Sequence, residues 1–121
     1  MAINEQERQL EVAREAEELL RTLAHSTRDV PNPCDSYSML GELGAIIDHM
    51  AQVCDQLANW HSRVEDGKHY EGEDGGTEGS ARAAAAELTT SAGALRLASN
   101  HVGRAHSHNA VLRWSPEPQE D

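Results

Sequence analysis

The sequence contains no phenylalanine, and its aromatic residues are two tryptophans and two tyrosines. Since β-strands favour aromatic and β-branched side chains, which are few and scattered here, the composition argues against a β-sheet. Hydrophobic residues make up 38% of the 121 residues, and alanine and leucine supply most of them. A core built from such side chains requires helices that approach one another closely, and the chain length suits one domain.

Positively charged residues are also scarce. Ten Lys plus Arg residues stand against 21 Asp plus Glu residues, which gives a formal net charge of −11. Because such a surface repels phosphate, we expect no direct binding to nucleic acid or to an anionic membrane. Lys68 is the only lysine, and the preference for arginine, together with abundant alanine and glycine, is typical of a GC-rich genome.

The two cysteines are too far apart to form a disulfide across a continuous helix. Cys34 precedes the predicted central helix, and Cys54 lies inside it. The helical rise places them roughly 25–30 Å apart, whereas a disulfide requires Cα atoms within about 7 Å. We therefore expect free thiols and a cytoplasmic location. The N-terminal residues lack the pattern of a signal peptide, and no apolar stretch is long enough to span a bilayer.

Motifs for catalysis and cofactor binding are also missing from the sequence. It has no phosphate-binding loop, no dinucleotide fingerprint, no zinc-ligand spacing and no recognition helix rich in arginine and lysine. Cys54 falls on an apolar helix face, and no motif supplies a base for Cys34. We therefore expect a protein that is not an enzyme and carries no cofactor.

Seven histidines are the strongest chemical enrichment in the sequence. Helical metal sites use ligands three or four residues apart, and no two of these histidines have that spacing. His101 and His108 lie seven residues apart, and His61 could approach them if the second and third helices run antiparallel. A helical metal-binding protein with histidine and carboxylate ligands therefore stands as the third functional hypothesis.

A long apolar helix over residues 36–64 dominates what the sequence does contain. Its seam recurs at alternating spacings of three and four residues: Leu40, Leu43, Ile47, Met50, Cys54, Leu57, His61 and Val64. A second apolar row has members seven residues apart: Met39, Ile46, Val53 and Trp60. A row of small residues lies on the other flank: Gly44, Ala51 and Ala58. A helix that is apolar on so many positions needs at least two neighbours.

Two further helices are predicted, over residues 3–27 and 80–109. The third helix has an alanine-rich seam, with small residues such as Ala85 and Ala92 beside it: Ala81, Ala84, Leu88, Ser91, Leu95, Ala98, Val102 and Ala105. We expect this helix to meet the small row of the central helix. Residues 65–79 combine glycine with acids and predict a mobile, solvated loop.

These elements predict an all-α fold, a three-helix up-down-up antiparallel bundle with long helices and a possible capacity to dimerise. The bundle spans residues 1–114 as a single domain, and residues 115–121 form a disordered acidic tail.

A ridge of cationic and polar residues follows the third helix at a spacing of four, with Arg96, Arg104 and His108 as its charged members. The first helix carries an acidic ridge: Glu7, Glu11, Glu15 and Glu18. We expect the two ridges to face each other at the rim of the bundle, where such pairs set register more than stability. The alternative is that the cationic ridge binds an anionic partner.

The row Met39, Ile46, Val53 and Trp60 leaves two interpretations open. The first helix covers it, or it is an exposed interface for another protein or for a second copy in a homodimer. On the second interpretation the protein is a small non-enzymatic interaction or accessory protein, with Trp60 as the anchor. The alternative function is an acidic regulator or inhibitor. It would occupy a basic nucleic-acid-binding site on a partner protein through the first helix and residues 65–78.

Overall fold

A computed structural model of the chain describes residues 5–74 and 79–116. A short 3-10 helix, Gln6–Arg8, is followed by three α-helices: α1 Gln9–Ser26, α2 Asp35–Arg63 and α3 Ser80–Asn109. Neither of the two described ranges contains a β-strand. The prediction of an all-α protein with three long helices is therefore confirmed.

The predicted ends of the second and third helices agree closely with the observed ones. The first helix is predicted to start at residue 3, whereas α1 starts at Gln9, after the 3-10 helix. In this 3-10 turn the amide of Arg8 donates to the carbonyl of Glu5 over 2.9 Å. Residues 3 and 4, part of the first predicted helix, lie outside the described residues. So do residues 117–121, which hold most of the predicted tail.

The connector between α1 and α2 ends in a turn that starts α2. Pro31 and Pro33 prevent a helix from continuing through this segment. The amide of Asp35 donates to the carbonyl of Asn32 over 3.0 Å, and the Asn32 side-chain amide donates back to Asp35 Oδ1 over 3.3 Å. The Asp35 carboxylate lies in the first turn of α2, where it interacts favourably with the helix dipole.

Backbone proximity divides the chain into two compact units. The first contains Met1–Asp35 and Trp114–Asp121, and the second contains Ser36–Arg113. Helix α1 belongs to the first unit, and none of its residues is buried. The predicted packing of the first helix against the central one, and the predicted single domain, stay predictions.

Helices α2 and α3 form an antiparallel hairpin within the second unit. Three contacts between the two helices fix its register. The Asn109 side-chain amide donates to Ser36 Oγ over 3.1 Å, and the rings of Tyr37 and His106 stack with their centroids 4.1 Å apart. The third contact joins residues nearer the middle of both helices, Arg96 and Asp55. Positions on α3 fall as those on α2 rise, so the helices run in opposite directions.

The core of this hairpin is made of methyl groups. Among the described residues, the buried hydrophobic side chains are all alanines: Ala51, Ala58, Ala85 and Ala92. Two of them belong to the small row of α2, so the prediction that this row meets the third helix is confirmed. Gly44 extends the row, and a Cβ atom built on it would lie 4.0 Å from Val102 Cγ1. Small side chains at such a seam permit helices to approach near the short end of the roughly 8–10 Å range.

The seam of α3 differs from the prediction in its rotation about the helix axis. Ala85 and Ala92 are buried, whereas Ser91 and Ala98 of the predicted seam are exposed. Ala105 of the predicted seam is also exposed, and the other five members are half-buried: Ala81, Ala84, Leu88, Leu95 and Val102. Because small residues occupy both rows, periodicity alone does not decide which row faces α2.

The described part of the loop after α2 folds into a turn. The amide of Gly67, at φ +84°, donates to the carbonyl of Tyr70 over 2.7 Å, and His69 Nδ1 accepts from the amide of Glu65 over 3.0 Å. Further on, Glu73 Oε1 accepts from the amide of Ser80 over 2.7 Å and so caps the start of α3. The prediction that residues 65–79 are mobile is not tested by these contacts, and residues 75–78 lie outside the described ranges.

Candidate interaction surface

Helix α2 carries large apolar side chains that its hairpin partner does not cover. Met50 is 42% exposed, Val53 52%, Leu57 43% and Trp60 48%. These four side chains follow one another at spacings of three, four and three residues, and therefore lie along one side of the helix. These four side chains therefore form a row of exposed apolar residues on one side of α2.

The exposed side chains belong to a longer row that continues in both directions at alternating spacings of four and three residues. We call this row the outer seam: Met39, Leu43, Ile46, Met50, Val53, Leu57, Trp60 and Val64. Its first three members and its last are half-buried. The members within α2, from Met39 to Trp60, run along about 32 Å of helix, and Val64 directly follows the last residue of α2. The outer seam contains all four interface residues predicted from the sequence.

The residues that face α3 form a second row, which we call the inner seam: Leu40, Gly44, Ile47, Ala51, Cys54, Ala58 and His61. All of its members are buried or half-buried. The inner and outer seams lie about a third of a turn apart on α2. The central seam predicted from the sequence is thus shared between two faces, with Leu43, Met50, Leu57 and Val64 on the outer one.

A polar row borders the outer seam on the side away from α3. Its members are seven residues apart: Glu42, His49, Gln56 and Arg63. All four are exposed. Arg63 Nε donates to the carbonyl of Asn59 over 3.3 Å, which leaves its terminal nitrogens on the surface. The outer seam therefore has an acidic residue near its start and a basic residue near its end.

The indole of Trp60 is held in place although nearly half of the residue is exposed. It meets the ring of His61 edge-on, with centroids 4.9 Å apart and planes at 84°. A second edge contact joins it to His69 of the following turn, with centroids 6.3 Å apart. His61 is itself fixed by a 2.7 Å hydrogen bond between its Nδ1 and the carbonyl of Leu57. Trp60 is thus an oriented aromatic surface at one end of the outer seam.

The charged ridge predicted on α3 divides into residues with different contacts. Arg96 donates to Asp55 of α2, and this hydrogen bond, followed by the charges of Asp55 and Asp48, raises the pKa of Arg96 above its ordinary value. Arg104 and His108 are exposed. The pairing of this ridge with the acidic ridge of the first helix stays a prediction, as does its binding to an anionic partner.

Three acidic residues at the start of the 3-10 helix and in α1 accept hydrogen bonds from Arg8. Arg8 donates to Glu5 over 2.6 Å, to Glu11 over 2.9 Å and to Glu15 over 3.2 Å. The hydrogen bond that Arg8 donates to Glu11 and the charge of Glu5 are the main causes that raise the pKa of Arg8. These contacts neutralise part of the acidic surface that the regulator hypothesis requires.

The histidines do not come together in the described part of the chain. The antiparallel register places His61 at the loop end of the hairpin, whereas His101 and His108 lie toward the opposite end, where His106 stacks on Tyr37. The expectation that an antiparallel arrangement brings His61 to the other two is therefore wrong. Within the described ranges no group of three His, Cys, Asp or Glu side chains is placed to hold a metal ion.

An open cleft lies at the loop end of the hairpin, where Arg63, Tyr70 and Arg82 line it. The adjoining N-terminus of α3 is already capped by the carboxylate of Glu73. Elsewhere, both cysteines are free thiols, with Cys34 exposed and Cys54 half-buried on the inner seam. In the described ranges, none of the helices has the length and apolar character needed to cross a membrane.

No family model, no curated protein and no solved structure matches this chain. In the described ranges, the outer seam is a row of partly exposed apolar side chains on α2, bordered by a polar row.

Proposed function

We propose that this protein is a small non-enzymatic interaction or accessory protein that binds an apolar helix through the outer seam of α2. The observation that supports the proposal most directly is the exposure of Val53 and Trp60, by 52% and 48%, on a helix that already has a packed partner on another face.

The spacing of the outer seam indicates the kind of partner. Apolar side chains that alternate between spacings of three and four residues pack as knobs into the holes of a facing helix. A flat or concave partner surface without this periodicity leaves gaps between the side chains on successive turns of α2. An amphipathic helix with its own apolar stripe fills them, as in helix-in-groove recognition.

The energetics favour burial of this surface. Fully burying a large apolar side chain contributes about 1.5–3 kcal/mol, so covering each half-exposed member of the seam is worth about 1 kcal/mol. Several such members along one helix offset a substantial part of the loss of rotational and translational freedom on association. Trp60 supplies the largest apolar area and is already oriented by His61 and His69.

Site-specific photo-crosslinking tests this proposal. A photoreactive amino acid replaces Val53 in the full chain, which is then irradiated in cells of its native host. The matched control carries the same residue at Gln52, which is exposed on a different side of α2. We expect an intermolecular protein adduct from position 53 and none from position 52. Adducts confined to one chain, or equal adducts from both positions, would contradict the proposal.

A further inference from the structure

We propose that the helix bound by the outer seam is the α2 helix of a second copy of this chain, antiparallel to the first. This inference rests on the proposed function and names the partner of the same surface. The two-fold axis passes between Met50 and Val53, near the middle of α2. The resulting assembly consists of two hairpins joined through their central helices.

The outer seam is self-complementary about this axis. Met50 lies opposite Val53 of the second copy, and Ile46 lies opposite Leu57 of the second copy. Toward the ends Leu43 meets Trp60 of the second copy, and Met39 lies level with Val64, the first residue after α2 of the second copy. Every apolar member of the seam then faces an apolar residue of the second copy. Each of these residue pairs occurs twice, because the two copies use the same surface in an isologous interface.

The polar border of the seam provides the charge complementarity. In an antiparallel pair the border residues of one helix face the same border of the other. With the axis at this position, Glu42 lies beside Arg63 of the second copy, and the two-fold repeats the pair at the other end. His49 faces Gln56 of the second copy in between. Interhelical pairs at such border positions set the orientation and register of helix pairs.

Other registers lose these features. Shifting one helix by seven residues in one direction brings Arg63 beside His49 of the second copy and leaves Leu43 without an apolar counterpart. The opposite shift brings Glu42 beside Gln56 of the second copy and leaves Trp60 without one. A parallel pair places Glu42 level with Glu42 and Arg63 level with Arg63. Only the antiparallel, centred register combines the longest apolar overlap with opposite charges at both ends.

Charge reversal tests the register. Glu42→Arg places two cations together at each end of the dimer, and Arg63→Glu places two acids there. Each variant alone should therefore self-associate about threefold to tenfold more weakly than the natural chain. An equimolar mixture should form a heterodimer, because Glu and Arg then face each other at both ends. Native mass spectrometry separates the three species by mass, and sedimentation velocity gives their dissociation constants.

Matched controls separate this effect from net charge. Glu87→Arg and Arg104→Glu make the same charge changes at exposed positions of α3, neither of which lines the cleft that contains Arg63. We expect their mixture to show at most the small heterodimer preference that follows from opposite net charge. Circular dichroism of all four variants verifies that the helices are intact.

The outcomes distinguish this inference from the proposed function. If Val53→Asp abolishes the dimer but the reversed variants do not prefer each other, the outer seam is the interface and the antiparallel register is wrong. A monomeric natural chain whose position 53 cross-links to a different protein overturns the second copy as partner and leaves the proposed function standing. A dimer that survives Val53→Asp overturns this inference, whereas the absence of an intermolecular adduct from position 53 overturns the proposed function.

Discussion

Ala92 has no exposed surface, although its side chain is a single methyl group. Such complete burial requires the backbone of α2 to lie close to it, so the site has no room for a larger side chain. The same holds for Ala51, which is 1% exposed on the facing helix. The hairpin is therefore held together by close approach and not by large core residues.

Ala92→Leu should destabilise the protein by about 1–3 kcal/mol, because the added methylene groups force the two helices apart. Thermal unfolding followed by circular dichroism gives the change. Ala98→Leu is the matched control, since Ala98 is exposed on the same helix. A similar stability for both variants would show that α2 and α3 do not meet at Ala92.

Trp60→Ala should weaken association through the outer seam by about 2 kcal/mol or more, as expected when a large aromatic anchor is removed from an interface. It should leave the helix content unchanged, because Trp60 is not part of the buried alanine core. Light scattering over a range of concentrations measures the effect on mass. Tyr70→Ala is the control, since it removes an exposed aromatic residue from the neighbouring turn. An unchanged mass for Trp60→Ala would count against the seam as interface.

At the scale of helices, the sequence predicts much of what the structure contains. Proline at positions 31 and 33 and glycine between 67 and 79 separate three periodic segments, and helices α2 and α3 follow those segments closely. The small row on α2 was sufficient to identify its contact with α3. Composition and spacing therefore determine the helices and one of their interfaces.

The sequence was less informative about which face of each helix is buried. On α3, small residues at both Ala84 and Ala85 make two adjacent rows equally apolar, so periodicity cannot rank them. On α2, Leu43 and Met50 lie between two apolar rows and fit either seam. The exposed fraction of each side chain decides which row of α3 and which row of α2 face each other. The outer seam can be identified only once the residues of the inner seam are known.

Helix α1 should be less protected from solvent exchange than the hairpin, since it contains no buried residue. Its backbone hydrogen bonds then break by local opening at a lower free energy than those around Ala51. Hydrogen exchange followed by mass spectrometry compares peptides from Gln9–Ser26 with peptides from the middle of α2. The α3 peptides around Ala92 serve as the internal reference for full protection. Equal protection of α1 and the hairpin would contradict this expectation.

At the scale of the whole molecule, the formal net charge of −11 affects any contact between two copies. Like charges on the two chains repel each other at low ionic strength, whereas burial of the outer seam is insensitive to salt. The Debye length is about 10 Å at 0.1 M salt, so added salt screens this repulsion. An interface dominated by acidic residues and a basic partner would behave in the opposite way.

The dimer fraction should therefore stay constant or rise when NaCl increases from about 0.05 M to about 0.5 M, since screening reduces the repulsion between copies. Sedimentation velocity at fixed protein concentration measures this fraction. Val53→Asp should remain monomeric at each salt concentration and so serves as the baseline. A steep loss of association with added salt would instead favour binding through the acidic surface.

The most direct test of the outer seam as an interface is sedimentation equilibrium of the natural chain and of Val53→Asp. We expect the natural chain to have twice its 13.2 kDa mass, and the variant, with a carboxylate in the middle of the seam, to have the mass of one chain. Identical masses for the two proteins would contradict the assignment of the outer seam as the surface through which this protein associates with itself.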